Sequence, residues 1–307
     1  MVVFVNPTAG GGRALHAWSE IEPLLCQRYG AVEAHVGANR CATARIVRTA
    51  LADGQRFFVA AGGDGTVQRV LQAVMDAAPS WTEPPCLGAL GLGSSNDFHK
   101  PFRREQRIGG IPCKLDAAQA TRRDIGMLTL DMADGDTVRR YWLLNGSLGV
   151  TAQANAFFNA PDALLTQLKR RSMPLAILYA ALHTLLTARP ISVRLDYDGH
   201  EETVEAANLT VVKSPFCSGS FRYDSPFEPA SGTFHVHLCE ASSRTRLLRI
   251  LWHLGRGRFQ GLPGTRSWTA RRIEVATAEP VAVEFDGEVV TTRRAVFSIE
   301  PGPRVCP

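Results

Sequence analysis

The chain has 307 residues, 45% hydrophobic and 21% charged, which excludes a disordered polypeptide and supplies enough apolar residues for a sizeable core. At about 150 residues per domain, that length predicts two domains rather than one small module. The excess of 34 basic over 29 acidic residues gives only +5, too little to argue for a nucleic-acid partner but compatible with an anionic substrate or membrane surface.

In chain order, residues 2–5 read as a strand buried on both faces and 6–12 as a glycine-rich turn. Residues 13–29 read as a helix with Leu15, Trp18, Ile21, Leu24 and Leu25 at helical spacing. Residues 42–51 predict a helix, 57–61 a strand ending in Gly62-Gly63-Asp64-Gly65-Thr66, and 67–75 the helix after it. A further strand is expected over 87–92, before Gly93-Ser94-Ser95-Asn96-Asp97-Phe98. Strands alternating with longer helices signify a parallel α/β sheet, and loops at the carboxyl ends of such strands meet in one crevice where ligands bind. From about Thr129 the pattern changes to short β runs at 141–144, 191–197 before Asp198-Gly199, 209–212, 234–238, 272–276 and 281–285. That spacing predicts a mostly antiparallel sandwich.

Other features narrow the setting. The seven cysteines are scattered and contain no C-x-x-C spacing, so free thiols in a reducing compartment are expected rather than a zinc site or disulfide framework. Only residues 2–5 are apolar between Met1 and Asn6-Pro7, which is no secretory core and predicts a cytoplasmic protein. The longest near-apolar stretch, 173–188, contains His183 and falls short of the roughly 18 residues that mark a spanning helix.

The loops carry the chemistry. A glycine-rich turn between strand and helix lets backbone N–H groups approach a phosphate, with the positive end of the helix behind them. Residues 6–13 and 62–66 both have that form. Neither fits a strict phosphate fingerprint, so phosphate cradle and plain tight turn stand side by side on loop chemistry alone. Asp64 favours the cradle with a divalent cation, because a carboxylate between glycines would otherwise repel a phosphate. A nucleotide with Mg²⁺ is the coherent reading.

Taken together, Asn6-Pro7-Thr8-Ala9-Gly10-Gly11-Gly12-Arg13, Gly62-Gly63-Asp64-Gly65-Thr66, Gly93-Ser94-Ser95-Asn96-Asp97-Phe98 and Asp286-Gly287-Glu288 resemble the diacylglycerol kinase-like lipid kinases in order and near spacing. That family includes bacterial diacylglycerol kinases and the sphingosine and ceramide kinases, and shares its nucleotide-binding fold more distantly with NAD kinases and 6-phosphofructokinases. The resemblance implies a Rossmann-like nucleotide-binding α/β domain over 1–127 and an antiparallel β-sandwich substrate domain over 128–307, whose last residues are free to return to the first domain. It further implies an ATP-dependent phosphotransferase acting on a lipid hydroxyl, diacylglycerol by default, in phospholipid metabolism. Nucleotide contacts would fall on Asn6, Pro7, Gly11, Gly12, Arg13, Gly62, Gly63, Asp64, Gly65, Thr66, Ser94 and Asn96. Mg²⁺ would be organised, directly or through water, by Asp64, Asp97 and Asp124, the last in Arg123-Asp124-Ile125-Gly126. The family brings its D-G-E segment to the nucleotide cleft, making Asp286 the general base and Glu288 its assistant, with Asp64 also in the catalytic set. A carboxylate within hydrogen-bond reach of the attacking alcohol is what phosphoryl transfer requires. Without the resemblance, Asp286 and Glu288 read as flanking a solvated hairpin turn.

The chain also departs from the family pattern. Ser95 replaces a glycine and has the bulk to crowd a nucleotide. Gln68-Arg69 stand where the family has Asn-Glu, and Arg69 either pairs with a phosphate or points away along its helix. A bacterial subset holds a structural metal at an acidic turn, but residues 229–234 contain no carboxylate, so no such metal is expected. Basic and apolar residues over 164–186, and eight arginines with Trp252, Phe259 and Trp268 but no acid over 244–272, suit reversible docking on the inner face of the cytoplasmic membrane. A covered domain face is the alternative reading of both stretches. A weakly catalytic nucleotide- or lipid-binding homologue, or a kinase of another alcohol, would carry the same motifs, and a homodimer is left open.

Overall fold

The structure, a computed structural model, describes residues 1–77, 83–240 and 243–307, which form two compact units: Met1–Asp124 with Pro301–Pro307, and Ile125–Glu300. In the first unit, β1 (Val2–Val5) is buried throughout, followed by α1 (Ala14–Tyr29), β2 (Glu33–Val36) and α2 (Arg40–Ala52). Then come β3 (Phe57–Gly62), α3 (Asp64–Ala77) and β4 (Cys86–Gly91). The strands pair in parallel in the order β2-β1-β3-β4, and the chain end adds a further parallel pairing, Arg304 and Val305 beside Cys86 and Leu87. The short β5 (Arg107–Ile108) and β6 (Ile111–Lys114) form a hairpin, and β6 joins β4 antiparallel. Trp18, Ile21 and Leu25 of α1 pack against Val3, Val5, Val59 and Leu90. Leu15 and Leu24 are instead exposed, so only part of the expected apolar stripe faces the sheet.

Two details differ from the sequence reading. β2 has no apolar run to announce it, because Glu33-Ala34-His35-Val36 lies at the sheet edge and is nowhere fully buried. The helix after β3 starts at Asp64 rather than Val67, which puts the acidic side chain in a first turn, where the helix dipole favours negative charge.

The second unit begins with the end of β7 (Thr121–Asp131), which forms a hairpin with β8 (Thr137–Trp142). β9 (Asn145–Gly149) leads into α4 (Val150–Asn159), α5 (Ala163–Arg171) and α6 (Met173–Thr187). β10 (Ile191–Tyr197) and β11 (His200–Val212) follow, then the small pair β12 (Phe216–Cys217) and β13 (Phe221–Arg222). β14 (Phe234–Glu240), α7 (Arg244–Leu254), β15 (Thr265–Ala270), β16 (Arg272–Phe285) and β17 (Glu288–Val305) complete the chain. Antiparallel pairing runs β15-β14-β11-β10-β16-β17, while β9 pairs with both β11 and β16. The two short runs expected at 272–276 and 281–285 are one strand with a register shift between Ala276 and Val281. Such a shift bends a strand and lets it serve two parts of a sandwich.

Alternate residues of these strands, among them Leu128, Leu195, Leu209, Val236, Val283 and Phe297, form one core around the fully buried Trp142. The Trp142 ring lies across its strand partner Gly126, where an added β-carbon would come within 1.8 Å of the indole. Gly126→Ala is therefore expected to displace the indole and cost about 1–3 kcal/mol, measured by urea denaturation with tryptophan fluorescence.

Candidate active site

The three loops at the carboxyl ends of β1, β3 and β4 meet in the first unit. After β1, Asn6 Oδ1 accepts bonds from Thr8 N (3.2 Å) and Thr8 Oγ1 (2.8 Å), and its Nδ2 donates to Thr66 Oγ1 at 3.2 Å. This ties the first loop to the start of α3. Gly10, Gly11 and Gly12 all have positive φ, at 59°, 71° and 88°, a run that only glycine adopts readily. Beside Gly11 and Gly12 there is open space, so their backbone stays accessible at the start of α1. Arg13 is exposed and turns back on its own loop, Nε donating to Gly10 O at 3.0 Å.

The second and third loops touch through their backbones. A β-carbon on Gly93 would lie 2.3 Å from Gly63 Cα, and one on Gly62 would lie 2.3 Å from Thr66 Oγ1. Asn96, with φ at 50°, holds the third loop closed: its Oδ1 accepts from Gly93 N at 2.9 Å and its Nδ2 donates to Gly91 O and Gly93 O. Ser95, by contrast, is not among the residues with positive φ, so the serine that replaces a family glycine brings no backbone strain. Ser94 is exposed at the rim.

Asp64 joins the loops. Its carboxylate accepts Asp97 N at 3.0 Å and Phe98 N at 2.9 Å. Burial raises its pKa to about 6, the nearby Asp97 adds to the rise, and the two N–H donors and Lys100 oppose it. Asp97 is buried and its Oδ1 receives Lys100 Nζ at 2.6 Å. Asp64 and Asp97 are neighbouring carboxylates of the oxygen-donor type that hard cations take, with Lys100 already paired to Asp97. Asp124 lies on β7. Among the described residues, no group of three or more His, Cys, Asp or Glu side chains is arranged to hold a metal ion. Arg69 Nη1 donates to Ala38 O at 3.1 Å, and the side chain lines a small cavity with Asn6, Thr43 and Thr66.

In the second unit, Asp286 and Gly287 form the two-residue turn between β16 and β17, with φ of 47° and 88°, the geometry of a type I′ hairpin. The Asp286 side chain is not solvated, although Gly287 is exposed. Asp286 is only 4% exposed, and its carboxylate accepts three backbone donors: Leu143 N at 2.7 Å, Leu144 N at 2.9 Å and Asn145 N at 3.1 Å. Residues 143 and 144, expected in a strand, are instead the bend that supplies these N–H groups. Glu288 is half-buried at the start of β17.

Sequence reasoning missed Glu284 altogether. It is fully buried, accepts Ser147 Oγ at 2.8 Å and Gly287 N at 2.7 Å, and burial pushes its pKa up to about 7. Its strand alternation, Val283-Glu284-Phe285, reads as an outward-facing acid, but Ser147 of the neighbouring β9 meets its carboxylate. Lys213 was also missed. Its buried ammonium donates to Glu228 O at 3.1 Å and Thr233 O at 2.8 Å, so a lysine organises the turn that lacks carboxylates.

The family models match both parts of the chain. The diacylglycerol kinase catalytic domain covers residues 1–128, and the YegS C-terminal NAD kinase beta sandwich-like domain covers 147–304. The two units thus define a kinase of the α/β plus β-sandwich class, and the chain belongs to the diacylglycerol kinase-like family. A diacylglycerol kinase of Mycobacterium tuberculosis (strain ATCC 25618 / H37Rv) is 24% identical over 98% of this chain and 92% of its own length. One from Staphylococcus aureus (strain Newman) is 23% identical over 75% of this chain and 67% of its own. A diacylglycerol kinase structure from Bacillus anthracis str. Sterne has the same fold, with TM-score 0.67 at 16% identity over 98% of this chain and 93% of that one. Yeast NADH kinase complexed with NADH matches at TM-score 0.52 and 13% identity over 99% and 82%. Among the described residues no helix is long and apolar enough to cross a membrane.

Two substitutions probe this geometry. Gly93→Ala forces the two loops apart and is expected to lower stability by about 1–3 kcal/mol, read as a drop in the midpoint of chemical denaturation. Glu284 binds its proton more tightly folded than unfolded, so its contribution to stability is full below about pH 4.5 and is lost as pH rises to about 7. Glu284→Gln removes that loss. The variant is expected to gain about 3 kcal/mol relative to wild type between pH 4 and pH 8, measured as the difference between their urea denaturation curves.

Proposed function

We propose that the protein transfers the γ-phosphoryl group of ATP to the hydroxyl of a membrane lipid, with diacylglycerol as the default acceptor. The observation that carries this reading is Asp64. Its raised, buried carboxylate is held by the N–H groups of Asp97 and Phe98, beside glycine turns whose backbone is open to a phosphate. In this reading the N–H groups around Gly11 and Gly12 and the loops at 62–66 and 93–96 bind the triphosphate, with Asn6, Pro7 and Arg13 shaping the entrance. Asp64 and Asp97, with Asp124 through water, would hold Mg²⁺, which supplies charge neutralisation to the transferring phosphoryl group.

The carboxylates of the D-G-E turn divide their work. Three backbone donors fix the Asp286 carboxylate within the turn. Asp286 is therefore assigned to holding the turn, and Glu288 to taking the proton of the attacking hydroxyl. This reverses the order of the pair expected from the family resemblance, on the ground that Glu288 is half-buried whereas Asp286 is only 4% exposed, and a base must reach its substrate.

The assignment separates cleanly in experiment. Glu288→Gln is expected to lower kcat about 10²–10⁴-fold with an unchanged melting temperature. Asp286→Asn, which turns an amide toward three donors, is expected to lose about 1–3 kcal/mol of stability. Radiolabel transfer from ATP to detergent-dispersed diacylglycerol, with thermal melts alongside, reads both. Full turnover in Glu288→Gln rejects the base, and wild-type protein that labels no lipid alcohol rejects the acceptor class.

A further inference from the structure

Helix α6 is built inside out. A surface helix normally buries its large apolar side chains and presents polar ones to water. Here the inward face carries Ala176, Ala180 and Thr184, at intervals of four residues, with Leu185 beside them. The inner surface they meet includes Leu165, Phe157 and Phe158. The outward face carries Leu175, Leu178, Leu182 and Leu186 at intervals of three, four and four, which align on one side of a helix. Leu175 is 54% exposed, Leu178 46% and Leu186 47%. α6 contains no charged residue. Helix α7 packs beside it and presents Leu248 and Trp252, the indole 55% exposed with the Arg256 guanidinium 3.4 Å above its ring.

The charge beside this face is mostly basic, with Asp162, which accepts Tyr179 Oη of α6 at 3.0 Å, as an acid that meets it. Between Asp162 and Asp196 the charged residues are Lys169, Arg170, Arg171, Arg189 and Arg194, and from 244 to 272 there are eight arginines and no acid. Arg170, Arg171, Arg244, Arg246 and Arg249 are exposed. A leucine stripe and an accessible tryptophan beside these exposed arginines match an interface whose interior is apolar and whose rim is anionic. We infer that the α6–α7 face docks the protein on an anionic lipid bilayer, with the leucines and Trp252 entering the headgroup–acyl boundary and the arginines binding lipid phosphates. A protein partner of that chemistry would need an apolar groove ringed by acids. A second copy of this face would oppose arginine to arginine, which disfavours self-association. The inference deepens the reading of a lipid acceptor and rests on it for its biological purpose, though not for its test.

The test uses the full chain and sedimentation with vesicles of phosphatidylcholine alone or with about one-third phosphatidylglycerol. Wild type is expected to bind the anionic vesicles about tenfold more tightly, an advantage lost at high salt. Leu175→Ser with Leu178→Ser and Leu186→Ser is expected to weaken binding about tenfold or more at an unchanged circular dichroism spectrum. Arg170→Ala with Arg171→Ala and Arg249→Ala is expected to remove the preference for phosphatidylglycerol. Wild type that ignores anionic vesicles, a leucine variant that binds as well as wild type, or a dimer that the leucine variant dissolves in sedimentation velocity would each overturn the inference. Phosphorylation of detergent-dispersed diacylglycerol by the leucine variant separates the two readings. Lost docking with retained turnover upholds the face, while vesicle binding by a wild type that labels no lipid upholds the face and removes the kinase assignment.

Discussion

A buried carboxylate must find donors, and in this protein the donors are backbone N–H groups from a distant part of the chain. Asp64 binds the N–H groups of residues 97 and 98, and Asp286 those of 143 to 145. Each bond joins loops well separated in sequence, and each would leave both a charge and unpaired N–H groups behind if it broke. The two acids therefore act as fasteners before either acts as a chemical group. The loops of the first unit keep their shape because Asp64 closes them against each other.

That constraint also sorts candidate chemistry. A carboxylate saturated with N–H donors is stabilised as an anion, whereas one buried with fewer donors and beside another acid is driven toward its neutral form. Asp64 and Glu284 belong to the second kind, with pKa values raised to about 6 and about 7. The raised value at Asp64 reflects burial first and the neighbouring Asp97 second, with Lys100 opposing both. Glu284 has a nearer purpose, since its bond to Gly287 N shapes the turn that presents Glu288.

The outer surface of the second unit follows another rule. Small residues on the buried side of α6 let the helix sit close to its neighbours, and the large residues that would normally fill a core are left facing out. Leaving so much apolar surface in water is costly unless something covers it. The exposed arginines beside it favour a bilayer as the cover.

Much of the fold was legible in the sequence because its signals are local. A run such as Val2–Val5 and the Asp-Gly turns at 198 and 286 reflect side-chain burial and backbone freedom that neighbouring residues decide. So do three consecutive glycines at 10–12, and the ordered set of glycine-bearing loops was enough to point to the kinase family. Tertiary structure decided what depends on partners far along the chain. It placed β2 as an unannounced edge strand, turned Arg69 toward Ala38, buried Glu284 beside β9 and put three N–H donors on Asp286. It also decided which face of α6 points outward, since a helix apolar on every side carries no pattern to say so. Burial and hydrogen-bond partnership are properties of surfaces brought together by folding, and a local pattern carries no record of the surface that will cover it.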